Sequence, residues 1–377
     1  MKKFIFILII LIIPIILFFS YNNKKEPIKI GAIFALTGNN AYDNIESINA
    51  LKLAVNEINK NGGILKKPIK LIIYDNKSNL VETQIAAKKA VKDHVIAVIG
   101  SSYSSYSLVA ADVLQKNKII MITPISTNPG VTLTGNYIFR VCFTDIFQSK
   151  VLAYFAVKEL KAKNIAILVD VDQKYSVDLA KFFKKQLTKY KSKVIYIGYF
   201  SSNQTNFDNI VSGINKSKPD LIFIAGYPRA SGFLIKTIRQ WEIDIPLLGC
   251  DAWGNGILKY IGKLNNAFSV THWIKTLNEN KTIEFVKKYE KLYGKILFPD
   301  PALTYDAMMI LKYAIENANS LKIEKIRKSL ANIKDFYGIT GKISFDKNGD
   351  PEKPAYIIKY ENDRIIFYKK INPNDIK

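Results

Sequence analysis

Tyr42, Ser101, Thr127, Tyr175, Tyr227 and Asp251 each follow, or sit just past, an apolar run that reads as a buried strand. In an open α/β sheet, ligands collect where strands end and helices begin. One carboxylate, two hydroxyls and several aromatic rings suit a free amino acid. The carboxylate would meet an ammonium, the hydroxyls and nearby backbone N–H groups would meet a carboxylate, and the rings would cover a side chain. Each residue also has a plainer reading. Ser101 follows Gly100 and fits a helix N-cap. Thr127, between Pro124 and Pro129, fits turn chemistry, and Asp251 fits an Asx-turn before Gly254. The tyrosines are three of 21 in the chain, and Trp253 could be either a pocket wall or core.

The elements that would position these residues alternate between strand and helix. Strands are expected at Ile28 to Leu36, Ile69 to Tyr74, Val95 to Ile99 and Ile119 to Ile122. Between them, Ile48, Leu51, Val55 and Ile58 fall on one helical face that ends at Asn61-Gly62-Gly63. Leu80 to Val91 and Ser105 to Gln115 are also helical. This order implies a parallel, doubly wound sheet. The pattern restarts with strands at Asn164 to Val169, Val194 to Tyr199, Leu221 to Ala225 and Ile245 to Leu248, separated by helices at Val177 to Leu187, Phe207 to Ile214 and Ser231 to Trp241. Helices near Ile283 to Tyr293 and Ala302 to Ala318 follow. The chain closes with β signals at Lys342 to Phe345, Tyr356 to Tyr360 and Arg364 to Tyr368. The fold class is therefore α/β, with two similar lobes.

With 377 residues, 48% of them hydrophobic, the chain can bury two ordinary cores. The net charge of +23 invites a nucleic-acid reading, but lysines are scattered over nearly every helix, with no Arg-rich run and no zinc-finger spacing. No nucleic-acid partner is expected. A basic surface could instead favour an anionic membrane. Cys142 and Cys250 are far apart and form no C-x-x-C, so two buried or free thiols are expected.

No catalytic constellation, metal site or cofactor fingerprint emerges. Asp346 to Asp350 resembles the start of a calcium loop but has Ile357 where a twelfth-position acid belongs; a turn at Asn348-Gly349 explains it better. The serines at 101, 102, 104 and 105 form no G-x-S-x-G elbow, and neither His94 nor His272 adjoins a Ser–Asp motif. No P-loop or G-x-G-x-x-G occurs. The chain is expected not to be an enzyme.

Lys2 and Lys3 precede an apolar run from Phe4 to Phe19, then Ser20 and polar residues, which reads as an export signal. Phe18 makes a poor cleavage context, and the run lies near the lower limit of ~17 residues for a spanning helix. Cleavage, and retention as a membrane anchor through residues 4–20, are both open. Either places Pro27 onward outside the cytoplasm, in a periplasm or on the outer face of the membrane.

Five motifs in order make the sequence resemble a type I periplasmic binding protein of the leucine/isoleucine/valine-binding branch that serves ABC importers, from about Pro27 to Tyr368. They are GAIFALTGNNAY with LAVNEINKNGG; VIGSSYSS with MITPISTNP; YIFRVCFTD; PDLIFIAGYP with PLLGCDAWGN; and LTYDAM. The resemblance implies a hinge of three crossovers between two doubly wound lobes: residues 27–142 with 272–337, and 143–271 with 338–377, after a leader at 1–26. By position, Ser101 falls at the serine that binds the ligand carboxylate. Ile125 supplies a backbone contact and Thr127 a hydroxyl. Tyr42 matches a first-loop aromatic, Tyr175 matches a tyrosine that would help cover the ligand, and Tyr227 and Asp251 match the tyrosine and the acid that would hold the ammonium. There are departures: Ser176 replaces a usual Gly, Arg229 stands where Glu is common, and Asp251 is one methylene shorter than Glu.

The expected function is capture of an amino acid, branched-chain or otherwise apolar, for a membrane permease. A sensory protein of the same fold is the alternative, as is a binder of a small amide.

Overall fold

A computed structural model describes residues 26–376. The leader reading for residues 1–25 lies outside the described residues. Among the described residues, no helix is long and apolar enough to cross a membrane.

The first lobe is a wholly parallel sheet of β1 (Ile28–Phe34), β2 (Ile69–Asp75), β3 (Ala97–Gly100), β4 (Ile120–Thr123) and β5 (Ile138–Arg140), in the order β2-β1-β3-β4-β5. Its central strands β3 and β4 are buried throughout, as a sheet covered on both faces requires, and their sequences are near-continuous apolar runs. The connecting helices are α1 (Ala41–Lys60), α2 (Leu80–Lys92), α3 (Ser104–Lys116) and the single turn α4 (Gly130–Leu133). Asn79 caps α2 with its side-chain oxygen, which accepts from Val81 N at 2.8 Å and Glu82 N at 3.2 Å. α1 ends where expected, because Gly62 and Gly63 take φ of +92° and +78°, and a side chain on Gly63 would strike the Lys67 carbonyl.

The second lobe begins with α5 (Asp145–Tyr154), which loosens into a π-helical turn through Glu159. It continues through β6 (Asn164–Asp170), α6 (Lys174–Leu187), β7 (Lys193–Phe200), α7 (Asp208–Ser217), β8 (Leu221–Ala225), α8 (Pro228–Gln240), β9 (Leu247–Gly249), α9 (Gly256–Ile261) and β10 (Ala267–Thr271). The chain then returns to the first lobe with α10 (Asn280–Tyr293), α11 (Asp300–Ala318), α12 (Ile323–Ala331) and the small hairpin β11 (Phe336–Gly338) and β12 (Gly341–Ile343). It crosses back once more for β13 (Ala355–Glu361) and β14 (Arg364–Ile371), giving a seven-stranded sheet ordered β14-β13-β10-β9-β8-β6-β7. Here β13 pairs antiparallel with both β10 and β14, and the other pairs are parallel.

The lobes are thus joined by three crossovers: after β5, after β10, and between β12 and β13. Leu303, Leu311, Ile343 and Phe345 pack in the same buried cluster as Ile30 and Ile99 of the first lobe. Ala355, Ile357 and Ile371 belong to the second. In each sheet the strand order reverses beside its first strand, between β1 and β3 and between β6 and β8. That is where open α/β sheets form a crevice.

β5, β10, α5, α9, α12 and β11 were not anticipated from the sequence. β10 (AFSVT) is five residues, fully buried, without alternation, so period alone could not separate it from loop. Both cysteines are buried and unpaired. Residues 346–350 form a tight turn: Asp346 Oδ1 accepts from the backbone of Asn348 and Asp350, and Gly349 has φ of +79°.

Candidate functional site

The strand ends of both lobes face one another across a cavity. From the first lobe, the segment after β3 contributes Ser102, Tyr103 and Ser104, and the segment after β4 contributes Ile125 and Thr127. The loop before α11 adds Phe298 and Pro299, and the first residue of α11 adds Asp300. From the second lobe come Tyr175 in the first turn of α6, Tyr227 at the N-cap of α8, Asp251 and Ala252 after β9, and His272 after β10.

Five of the seven residues expected from the sequence therefore share one cavity: Ile125, Thr127, Tyr175, Tyr227 and Asp251. The other two stand apart. Tyr42 is 40% exposed at the rim, where the Lys259 ammonium of α9 sits 3.3 Å from its ring centre. Ser101 lies behind the wall. Its hydroxyl accepts a long bond of 3.4 Å from Asn76 Nδ2, and its carbonyl accepts from Thr123 (2.8 Å), Ser107 (3.0 Å) and Ser126 (3.1 Å). The serine at the cavity on the first residue of α3 is Ser104, where free N–H groups and the helix dipole favour an anion. Trp253 is fully buried beneath the site against Gly249 and lines nothing. Arg229 points away from the cavity to Asn203, at 3.0 Å.

Asp251 is 7% exposed and held on three sides. Tyr175 donates its phenolic proton to Oδ1, His272 Nε2 lies 2.9 Å from Oδ2, and the Asp251 N–H donates to Gln148 Oε1 at 3.0 Å. Gln148 in turn donates to Asp145 Oδ1 at 3.2 Å, while Asp145 Oδ2 has no hydrogen-bond partner. Burial pushes the Asp145 carboxyl well above the usual range. The neighbouring Asp251 charge adds to this, and the Thr127 hydroxyl works against it. Burial likewise drives the Tyr175 and Tyr227 phenols well above their ordinary value, so both remain hydrogen-bond donors. Motif reading missed Asp145, Gln148, Ser104 and His272, and Tyr103, Phe298 and Asp300 of the cavity wall as well. No local pattern marked either Asp145, which lies at the first crossover, or His272, which follows the unpatterned run of β10.

The Thr127 loop is fixed from below by Arg140, which is wholly buried. Its guanidinium donates to the Ser126 carbonyl (2.5 Å), the Asn128 carbonyl (2.9 Å) and Thr132 Oγ1 (2.8 Å), and its Nε pairs with Asp350 at 2.5 Å. The fork geometry of Arg suits two carbonyls and a carboxylate at once.

The lobes touch around the cavity. The Tyr103 and Tyr227 rings lie 4.1 Å apart, and Tyr227 lies 5.3 Å from Tyr175. Asn128 Nδ2 donates to Asp178 at 2.8 Å, and Asn255 Nδ2 donates to the Leu297 carbonyl at 2.8 Å. The space between these side chains has a volume of about 40 Å³. Carboxylate, hydroxyl, phenol and a helix N-terminus around a small aromatic-walled space can bind a zwitterion. Among the described residues, no group of His, Cys, Asp and Glu could hold a metal.

Two α/β lobes with three crossovers and a polar cleft between their strand ends define a hinged solute-binding protein. The chain belongs to the periplasmic binding protein family, whose model matches residues 27–364. It is 28% identical to the Leu/Ile/Val-binding protein BraC3 of Rhizobium johnstonii, over 90% of this chain and 93% of that protein. It is also 28% identical to the leucine-, isoleucine-, valine-, threonine- and alanine-binding protein of Pseudomonas aeruginosa, over 88% and 89%. Among solved structures, the leucine-binding protein LivK of Thermotoga maritima superposes with a TM-score of 0.88 at 32% identity, covering 92% of this chain and 99% of that one. The branched-chain amino acid transporter substrate-binding protein LivJ of Streptococcus pneumoniae, in complex with isoleucine, gives 0.86 at 27% identity, covering 92% and 100%.

Proposed function

We propose that this protein captures a branched-chain or other apolar amino acid between its lobes, outside the cytoplasm, and presents it to the permease of an ABC importer. The observation that carries the reading is the meeting, in one cavity, of an anion-binding half on the first lobe and a cation-binding half on the second. Thr127 and Ser104, with the N-terminus of α3, would hold the ligand carboxylate. Asp251, with Asp145 behind it, would hold the ammonium. Tyr103, Tyr175, Tyr227 and Phe298 would cover the side chain. Ser101 would act through the backbone it anchors, and Tyr42 through its rim contact with Lys259. The relatives named above are amino-acid binders, and the LivJ structure holds isoleucine.

The moving units in this reading are residues 27–142 with 272 to about Phe345, and 143–271 with Ala355 onward. The last boundary lies later than the sequence suggested, because Ile343 and Phe345 pack in the first-lobe core. The proposed carboxylate contacts at Ser104 and Thr127 and the proposed ammonium contact at Asp251 come from different lobes, so ligand would stabilise the closed form over the open one, as a population shift requires.

Small-angle scattering with and without saturating L-leucine tests the motion. The radius of gyration should fall on binding. An unchanged profile with bound ligand would mean that the lobes do not close on it.

A further inference from the structure

We propose, building on the amino-acid reading above, that His272 is a positioning residue: it holds the Asp251 carboxylate in place for the ligand's ammonium, and does so only while its imidazole is neutral. His272 follows β10 at the second crossover, lines the cavity, and is 2% exposed. Its Nε2 lies 2.9 Å from Asp251 Oδ2, its ring stacks on Phe143 at 3.7 Å between centres, and its Nδ1 has no hydrogen-bond partner. The neutral ring with its proton on Nε2 satisfies the observed bond and leaves a bare lone pair on Nδ1. A protonated ring would bury a second N–H with nothing to accept it, which is costly.

The charged and titratable groups around the ring favour the same form. Asp251, from the loop after β9, supports a charged imidazole, but Tyr175 of α6 already shares that carboxylate. Lys353, from the segment before β13, repels a positive charge, and burial outweighs the carboxylate, so the His272 value lies below the ordinary 6.5. Asp145, on α5, couples to Asp251, and burial pushes its own carboxyl well above the usual range.

A ligand ammonium adds a second cation to the same carboxylate. An imidazolium at His272 and the ammonium would compete for Asp251, so binding must expel the proton. The sign follows: His272 is harder to protonate in the complex than in the free protein. Affinity is therefore full above the His272 value of the free protein, itself below the ordinary histidine value, and falls as pH drops through it, by at most about tenfold per pH unit for one proton.

Two measurements test this. The chain has only two histidines, and His94 is exposed, so nitrogen-15 labelling of histidine gives two signals that His272→Gln assigns. In the ligand-free protein, His272 should be the neutral Nε2–H tautomer at about pH 7.5 and titrate below the ordinary histidine value. An imidazolium at that pH would overturn the proposal whether or not any ligand binds. Calorimetry with L-leucine from about pH 7.5 to about pH 5 then tests the coupling. The unmutated protein should lose affinity below the ordinary histidine value, while His272→Gln should show no such loss. His272→Leu should bind about 3–10-fold more weakly than the unmutated protein at neutral pH, and the Gln amide, which still donates to Asp251, should recover most of that loss. Parallel pH profiles for the unmutated and Gln proteins, or equal affinities for the Leu and Gln variants, would overturn the proposal. Absence of L-leucine binding at about pH 7.5 would instead count against the amino-acid reading, with the tautomer measurement still deciding the state of His272.

Discussion

Replacing Asp251 with alanine should weaken L-leucine binding about 10–100-fold while leaving a folded protein, because a hydrogen bond to a charged group contributes about 1.5–3 kcal/mol. The substitution removes the carboxyl group that, among the described residues, lines the second-lobe side of the cavity. It also strips the Tyr175 hydroxyl and His272 Nε2 of their shared acceptor. Some loss of thermal stability should therefore accompany the loss of affinity. Calorimetry on the folded variant decides the matter: affinity within twofold of the unmutated protein, ~0.4 kcal/mol on the thermodynamic scale, would take Asp251 out of the site.

Arg140→Ala should have the largest effect on stability, about 3–5 kcal/mol in denaturant unfolding of the first lobe, because removing one member of a buried ion pair leaves the other uncompensated. Asp350 would lose its partner, and the Ser126 and Asn128 carbonyls would lose their donors. Since these carbonyls flank Thr127, affinity should fall as well, although Arg140 lines no part of the cavity. A loss below about 1 kcal/mol, typical of a surface pair, would show that the network contributes little.

Much of the architecture could be read in the sequence because parallel strands buried on both faces leave near-continuous apolar runs, and Gly-containing stops mark the helix ends. AVIG, IMIT and LIFIA are such runs, and all three are buried throughout. Thr127 and Asp251 were legible for the same reason: each sits just beyond a strand whose end is unambiguous. The serine run after β3 was harder. Ser101, Ser102, Ser104 and Ser105 are chemically alike, and which hydroxyl faces the cleft depends on how the chain turns from β3 into α3. That turn directs Ser102 and Ser104 to the cavity and Ser101 toward Asn76. His272 was read only as an absent catalytic base, since β10 carries no alternation and its end could not be located. Asp145 and Gln148 are placed by a crossover, and the wall at Phe298 and Asp300 by a loop far along the chain, and local pattern encodes neither. The last lobe boundary was similarly hidden: β12 looks like the other late strands, but Ile343 belongs to the same buried cluster as Ile30 and Leu303, whereas Ile357 of β13 belongs to that of the second lobe.

The measurement that bears most directly on zwitterion capture is calorimetric titration with L-leucine and two analogues, 4-methylpentanoic acid, which lacks the amino group, and 3-methylbutylamine, which lacks the carboxylate. The account predicts one site for L-leucine and at least about tenfold weaker binding of each analogue, since each leaves one half of the cavity without its charged partner. Equal affinity for L-leucine and the acid would contradict an ammonium site at Asp251, and equal affinity for L-leucine and the amine would contradict a carboxylate site at Ser104 and Thr127.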